Sequence, residues 1–226
     1  MQTIRKFAGA AAASLLLATP GLAVDTQSVT FSQFTQQSSD KVAVYSATGT
    51  GNALTITNAP VFFVISEYGP TGVNSTTMSM QAASSALVTN TGPQFEQVGW
   101  TGNMTFGTGG TDFLTVNFTN AIFSFDGPGG SASLISTDPS DPISYTSNVM
   151  SLPAFALKNF SLAFTGLTPS FTVAANGFGT PFNANLAGSF AGSAVPEPSS
   201  WAMMLIGFGA VGWSARRRAS AVTVAA

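Results

Sequence analysis

The sequence contains no cysteine and no histidine, and only 7% of its 226 residues are charged. Without cysteine the chain forms no disulfides and has no thiolate metal ligands or cysteine nucleophiles. Without histidine it has no imidazole general base, no Ser-His-Asp triad and no ordinary zinc site. Seven Lys and Arg against nine Asp and Glu provide no basic surplus for binding nucleic acid. The composition therefore excludes the functions that need these residues, and no cofactor is expected.

The N-terminal end has the pattern of a secretory signal peptide. Arg5 and Lys6 form a short positive region, and residues 7–18 are an apolar run rich in Ala and Leu. Pro20 interrupts the helix, and small residues then lead to a predicted signal-peptidase cleavage site after Ala23. The apolar run is shorter than the about 20 residues that span a bilayer. The pattern therefore favours export with cleavage over a retained anchor or a buried helix.

The C-terminal end combines a Pro-Glu-Pro tripeptide, an apolar stretch and a cluster of arginines. Pro196 and Pro198 hold the backbone extended around Glu197, which suits an enzyme that grips a strand in a cleft. The stretch 201–215 is a helix candidate about 22 Å long, short of a hydrocarbon core of about 30 Å. Positive charge after it is expected to stay cytoplasmic. That charge comes from Arg216, Arg217 and Arg218. A plain tail anchor, or the signal for another lipid anchor, is the alternative interpretation.

This order of parts resembles the PEP-CTERM sorting signal of Gram-negative bacteria, in its Pro-Glu-Pro-x-x-Trp-Ala form, over residues 196–218. The resemblance implies processing by an exosortase, an integral-membrane cysteine protease. Release or transfer to the cell surface, often alongside exopolysaccharide export, would follow. The apolar stretch would then be a transient inner-membrane helix, and the three arginines its stop-transfer charge. The sorting motif would comprise Pro196, Glu197, Pro198, Trp201 and Ala202.

The region between the two ends alternates between apolar and polar side chains with a period of two, which predicts β-strands. After Asn120 the alternation slips by one residue, which predicts a bulge or a bend. The run 61–65 is apolar throughout and predicts a strand covered on both faces. Many short strands with Gly and Pro turns predict a sandwich, a jelly roll or a barrel. We expect a single all-β domain, specifically an antiparallel β-sandwich of the jelly-roll kind.

Composition also predicts how the chain is divided. The body carries two cations and eight carboxylates over residues 24–195, a net charge of −6. A stretch rich in Gly, Ser and Ala follows it and is predicted to be a linker, although a strand at 185–190 is also plausible. The predicted segments are a signal peptide 1–23, a body 24–186, a linker 187–195, a sorting signal 196–218 and a tail 219–226.

Acidic residues supply the few candidates for chemistry in the body. Asp126, Asp138 and Asp141 are weak candidates for a Ca²⁺ site, because loop carboxylates suit that ion. Asx-type turns before proline are the favoured alternative, so no metal is expected. Glu67 and Glu96 are the only glutamates of the body and would be the carboxylate pair of a glycosidase. Nothing in the sequence brings them together, and surface loop positions are favoured.

Aromatic residues and a glycine-rich segment raise two further possibilities. Tyr45, Tyr68, Tyr145 and Trp100 would form a sugar-stacking platform if they lay in line on a sheet face. The favoured alternative places them in the core or scattered over the surface. The segment 107–110 lacks the lysine and the helix of a phosphate-binding loop, so it is interpreted as a turn.

The sequence therefore predicts a non-enzymatic, exported protein that is first anchored in the inner membrane and then reaches the cell surface, the outer membrane or the medium. Its expected role is structural or adhesive, in a biofilm matrix or with exopolysaccharide. Its expected partners are signal peptidase, an exosortase-like protease and extracellular polysaccharide. A specific carbohydrate-binding module is the alternative, and a carboxylate-dependent hydrolase is the third hypothesis.

Overall fold

The computed structural model describes residues 28–126, 130–136, 142–194 and 203–213, which form eleven β-strands and one α-helix. The predicted signal peptide and its cleavage site at Ala23 lie outside the described residues. The strands are β1 Val29–Gln36, β2 Ala43–Ala47, β3 Asn52–Ile65, β4 Gly72–Ser84, β5 Thr89–Asn90, β6 Phe95–Thr108, β7 Thr111–Phe125, β8 Ser131–Ser136, β9 Ile143–Thr146, β10 Phe155–Thr168 and β11 Phe182–Ala194. The helix, α1, covers 203–213.

The strands form one antiparallel sheet that closes on itself. Three positions in the sheet are each occupied by two successive strands, namely β1 with β2, β4 with β5, and β8 with β9. Each of the eight resulting positions pairs with the positions before and after it in the chain, and β11 pairs with β1 and β2. The fold is therefore an up-and-down antiparallel barrel.

The all-β prediction is confirmed, but the prediction of a sandwich of the jelly-roll kind is wrong. A sandwich consists of two sheets packed face to face, whereas here β6 pairs with β7 and no break separates two sheets. Both architectures place alternate side chains in a core, so the period of two is the same in each. The pairing partners decide between them, and local alternation does not report partners.

Residues with left-handed backbone conformation produce bulges in the barrel wall. Asn58, Gly99 and Asn120 have φ of 45°, 73° and 61°, and the pairing register shifts at each of them. At the last, Phe118 and Ala121 both point inward, which confirms the predicted slip. Glycine and asparagine tolerate this conformation better than other residues do. The bulges bend the strands as closure of the barrel requires.

The barrel interior is filled by one continuous cluster of apolar side chains. Phe171, from the loop 169–181, stacks on Phe125 with ring centroids 3.6 Å apart and covers one end of the barrel. Tyr45 stacks on Phe182 at 4.7 Å. The largest fully buried side chains are Trp100, Tyr45, Phe31, Phe34, Phe63, Phe106, Phe118, Phe123, Phe125, Phe160, Phe164 and Phe171. The interior is therefore a packed core, as in other small barrels.

Two local predictions need correction. In the run 61–65 the side chains alternate between the core and the outside, and Phe62 is 44% exposed, so only one face of this strand is covered. The predicted linker is also wrong, because residues 187–194 belong to β11. A Cβ at Gly188 would lie 2.6 Å from Leu162 and 2.7 Å from Phe34, so large neighbours require a small residue there. Small residues that looked like a linker are thus packing positions in a strand.

The two ends of the barrel differ in what they carry. β1 begins and β11 ends at the same end, which we call the terminal end, because Val29 pairs with Gly192. This end also carries the loops 66–71, 109–110 and 147–154. The opposite end carries the loops 48–51, 91–94 and 169–181. The described part of the chain therefore enters and leaves the barrel at one end.

Candidate functional site

Eight uncharged polar side chains form a regular array on the outer wall of the barrel. They lie on β4, β6, β7 and β9, two on each strand, and the strand register places them in two rows of four. One row contains Gln81, Asn103, Asn117 and Ser144; the other contains Ser79, Thr105, Thr115 and Thr146. With strands about 4.8 Å apart, each row is about 14 Å long. We call this array the polar face.

Two shallow grooves run along the polar face. One, of about 580 Å³, is lined by the row from Gln81 to Ser144 together with Pro142. The other, of about 540 Å³, is lined by Ser79, Thr105 and Thr115 and by the hairpin between β6 and β7. Amides and hydroxyls both donate and accept hydrogen bonds without carrying charge. The grooves are therefore suited to a neutral ligand rich in hydroxyl groups.

Among the described residues, hydrogen bonds occupy only part of the polar face. The Ser79 hydroxyl donates to Asn58 Oδ1 at 3.1 Å and accepts the Asn58 N–H at 3.0 Å. The Asn117 amide donates to the Ser144 hydroxyl at 3.3 Å. The Thr115 hydroxyl lies 3.1 Å from both carboxylate oxygens of Asp112, which is the one charged residue among the described residues that line the two grooves. A Cβ at Gly102 would meet the Ala82 side chain at 2.5 Å, so this wall position accepts only glycine. Alternation of Thr and Asn along single strands was visible in the sequence, but the rows across strands were not.

The structure does not align the four aromatic residues considered for sugar stacking. Tyr45 and Trp100 are fully buried, and Tyr68 and Tyr145 are partly buried against the core. The core interpretation is confirmed for the first two, and the platform is wrong. The hydroxyl of Tyr145 donates to the carbonyl of Asn159 at 2.5 Å. Burial raises the pKa of Tyr45 and of Tyr145 far above the usual value for a phenol.

A buried polar network at the opposite end was not anticipated from the sequence. The Tyr45 hydroxyl donates to Gln97 Oε1 at 2.9 Å, and Gln97 Nε2 donates to Asn52 Oδ1 at 3.1 Å. Asn52 in turn donates to the carbonyl of Gly179 at 2.9 Å and accepts from its N–H at 3.1 Å. The network therefore attaches the loop 169–181 to the barrel. Its role is structural, because the polar groups of each side chain in it are already engaged in hydrogen bonds with other members of the network or with Gly179.

The carboxylates are dispersed over the described residues. Asp126 accepts hydrogen bonds from Gln94 Nε2 at 3.0 Å and from the Ser131 hydroxyl at 2.6 Å, as expected for a turn. Asp138 and Asp141, the other two weak metal candidates, lie outside the described residues. Within the described ranges no three His, Cys, Asp or Glu residues are grouped so as to hold a metal ion.

The glutamates and the glycine-rich segment fall in separate places. Glu67 lies in a loop of the terminal end and Glu96 near the start of β6 at the opposite end, so the structure does not bring them together. The segment 107–110 consists of the last two residues of β6 and the tight turn 109–110 that leads to β7, in which Gly109 and Gly110 are left-handed. The interpretation as a turn is confirmed for residues 109–110, whereas residues 107–108 belong to the strand.

The C-terminal segment begins where the barrel ends. β11 ends at Ala194, and the next described element is α1 at 203–213, whose side chains are exposed. Nowhere in the described ranges is a helix both long and apolar enough to cross a membrane. The remaining residues assigned to the sorting signal lie outside the described residues. These are Pro196, Glu197, Pro198, Trp201, Ala202, Arg216, Arg217 and Arg218.

Comparison with known protein families identifies the C-terminal segment. The profile of the PEP-CTERM protein-sorting motif matches residues 194–218. No curated protein and no solved structure is significantly similar to the chain. The match agrees with the resemblance noted in the tripeptide, the apolar stretch and the arginines. The C-terminal segment is therefore a PEP-CTERM sorting motif, which implies export and processing of this protein by an exosortase-type enzyme.

Proposed function

We propose that the protein is a non-enzymatic surface or extracellular component of a polysaccharide-containing matrix. A signal peptide directs it across the inner membrane, and the apolar stretch 201–215 holds it there transiently. The exosortase-type enzyme then recognises residues 196–198 and releases the barrel to the cell surface or the medium. The matched sorting motif supports this route, and the structure of the barrel supports the proposed role in the matrix.

The observation that carries the proposed role is that the interior of the barrel is occupied by its own side chains. A ligand of this barrel therefore binds to the outside. The polar face offers a repeated array of neutral donors and acceptors there. Each exposed hydrogen bond contributes little, but a polysaccharide engages many at once. Such binding suits adhesion to a matrix better than capture of a single small molecule.

The two other hypotheses have less support. A carbohydrate-binding module of the stacking kind needs aligned exposed aromatic rings, and Tyr45 and Trp100 are in the core. A glycosidase needs two carboxyl groups about 5–10 Å apart across one bond. Glu67 and Glu96 lie at opposite ends of the barrel.

Replacing Glu197 by Ala tests the sorting route. The variant is expected to accumulate with its C-terminus intact, because the extended acidic tripeptide no longer fits the enzyme. Mass spectrometry of the protein from its native host gives the C-terminus of each form. Wild-type protein is expected to end near Glu197 and to lack the arginines. The matched control is Ser200→Ala, at a variable position of the motif, which is expected to be processed normally. Processing of Glu197→Ala at the wild-type rate would argue against the route.

Removing amides from the polar face tests the role of the barrel. The double variant Asn103→Ala with Asn117→Ala is expected to weaken binding to the polysaccharide of the host about five-fold, from loss of about 1 kcal/mol of hydrogen bonding. Co-sedimentation with the purified polysaccharide measures this. Gln33→Ala with Asn183→Ala removes two exposed amides elsewhere on the wall and is the control. Equal binding by both variants and the wild type would contradict the assignment of the polar face.

A further inference from the structure

The end of β11 is held in the barrel wall at the terminal end, whose edge we call the rim. It lies between two strands, since Gly192 pairs with Val29 of β1 and Ala194 pairs with Phe155 of β10. A Cβ at Gly192 would overlap the ring of Phe155, so ring and backbone are in close contact. That ring stacks on Phe31 with centroids 5.4 Å apart. Fraying of this strand end would therefore expose part of the aromatic core.

The sorting motif starts immediately beyond this fixed strand end. Only Val195 separates Ala194 from Pro196. Two residues of fully extended chain reach at most about 7 Å, so the tripeptide begins within that distance of the rim. An enzyme that binds residues 196–198 therefore has part of its own surface within about that distance of the barrel. The rim thus meets the enzyme when residues 196–198 bind.

We propose that the terminal rim, defined as the loops 66–71, 109–110 and 147–154, is a second contact surface for the exosortase-type enzyme. This inference rests on the processing route proposed above. The rim loops contain one charged residue, Glu67, and expose small polar side chains such as Ser66 and Thr71. A nearly uncharged rim can approach a membrane-embedded enzyme without desolvating many charges. Recognition thus reads the folded end of the barrel together with the tripeptide.

Paired charge substitutions in the full chain test the contact. Ser66→Arg with Thr71→Arg places two cations on the rim and is expected to slow appearance of the processed form about five-fold or more. Ser85→Arg with Thr50→Arg makes the same chemical change at the opposite end and is expected to leave processing at the wild-type rate. All four positions are exposed. Pulse-chase labelling in the native host measures the rates, and unfolding midpoints equal to wild type establish that both variants are folded.

A spacer gives an independent measurement that leaves the barrel sequence unchanged. Inserting six Gly and Ser residues after Ala194 moves the motif up to about 20 Å from the rim. If the rim contributes to recognition, processing slows. Faster processing would show that the rim is an obstacle and would overturn the inference, as would wild-type rates for the rim variant.

The Glu197→Ala variant, measured in parallel, separates the two proposals. If processing of Glu197→Ala is blocked while the rim variant and the spacer variant are processed at the wild-type rate, the rim contact alone is overturned. Normal processing of Glu197→Ala overturns the route itself.

Discussion

Replacing Phe123 by Ala is expected to lower the free energy of unfolding by about 3–5 kcal/mol, the usual cost of deleting a buried aromatic ring. Phe123 is fully buried in the centre of the aromatic cluster. Its ring centroid lies 4.5 Å from that of Phe125, 5.1 Å from that of Phe164 and 5.4 Å from that of Trp100. Several neighbours on different strands would have to move to fill the cavity. Urea unfolding followed by tryptophan fluorescence measures the change.

The neighbouring residue provides a control in the same strand. Ile122 is 42% exposed on the outer wall, and Ile122→Ala is expected to cost less than about 1 kcal/mol. The comparison tests the bulge at Asn120, because without the bulge the two side chains would exchange faces. A larger loss of unfolding free energy for Ile122→Ala than for Phe123→Ala would contradict the register described for this strand.

The stability of the barrel is expected to fall steeply above about pH 10, the ordinary pKa of tyrosine. Burial raises the pKa of Tyr45 and Tyr145 in the folded state. Above pH 10 the unfolded chain therefore loses these two protons while the folded chain keeps them. The free energy of unfolding then decreases by about 2.7 kcal/mol per pH unit for the pair, and this contribution is fully present below pH 10. Urea unfolding at a series of pH values from 7 to about 12 measures it.

Single tyrosine variants identify the groups responsible. Tyr45→Phe and Tyr145→Phe are each expected to reduce the slope above pH 10 by about 1.4 kcal/mol per pH unit. At neutral pH each variant also loses a hydrogen bond, to Gln97 Oε1 for Tyr45 and to the Asn159 carbonyl for Tyr145. The chain has no histidine, so no imidazole contributes a change of stability near pH 6–7. A stability that stays level to pH 12 would contradict the burial of these hydroxyls.

The features that depend on neighbouring residues were predictable. Alternation gave the all-β class, and the slip after Asn120 appears in the structure as a bulge with φ of 61°. The turn at 109–110 followed from consecutive glycines between strands. The Pro-Glu-Pro tripeptide, the apolar stretch and the arginines form a continuous segment, and the sorting-motif match covers it. Each of these signals lies within a few residues of chain, where backbone preferences and side-chain periodicity act.

The candidate site depended on pairing between strands. Thr and Asn at alternate positions show that one face of a strand is polar, but the two rows arise only from the registers of β4, β6, β7 and β9. Whether an aromatic side chain lies in the core likewise depends on how its strand pairs with its neighbours. The ring centroids of Tyr45 and Trp100 lie 5.8 Å apart in the core, although the two residues are 55 positions apart in the chain. A tyrosine on an exposed wall and one inside the barrel have the same local sequence pattern.

Local sequence patterns therefore established a β-strand body followed by a sorting segment, while long-range contacts established the barrel. Residues 187–194 show the difference most clearly, because Gly, Ser and Ala in isolation have the composition of a flexible connection. Next to Leu162, Phe34 and Phe155, the same small residues are the ones that fit, and the segment becomes the strand that closes the sheet on β1. The space available to a side chain is set by residues distant in the sequence, so it becomes known only once the chain has folded.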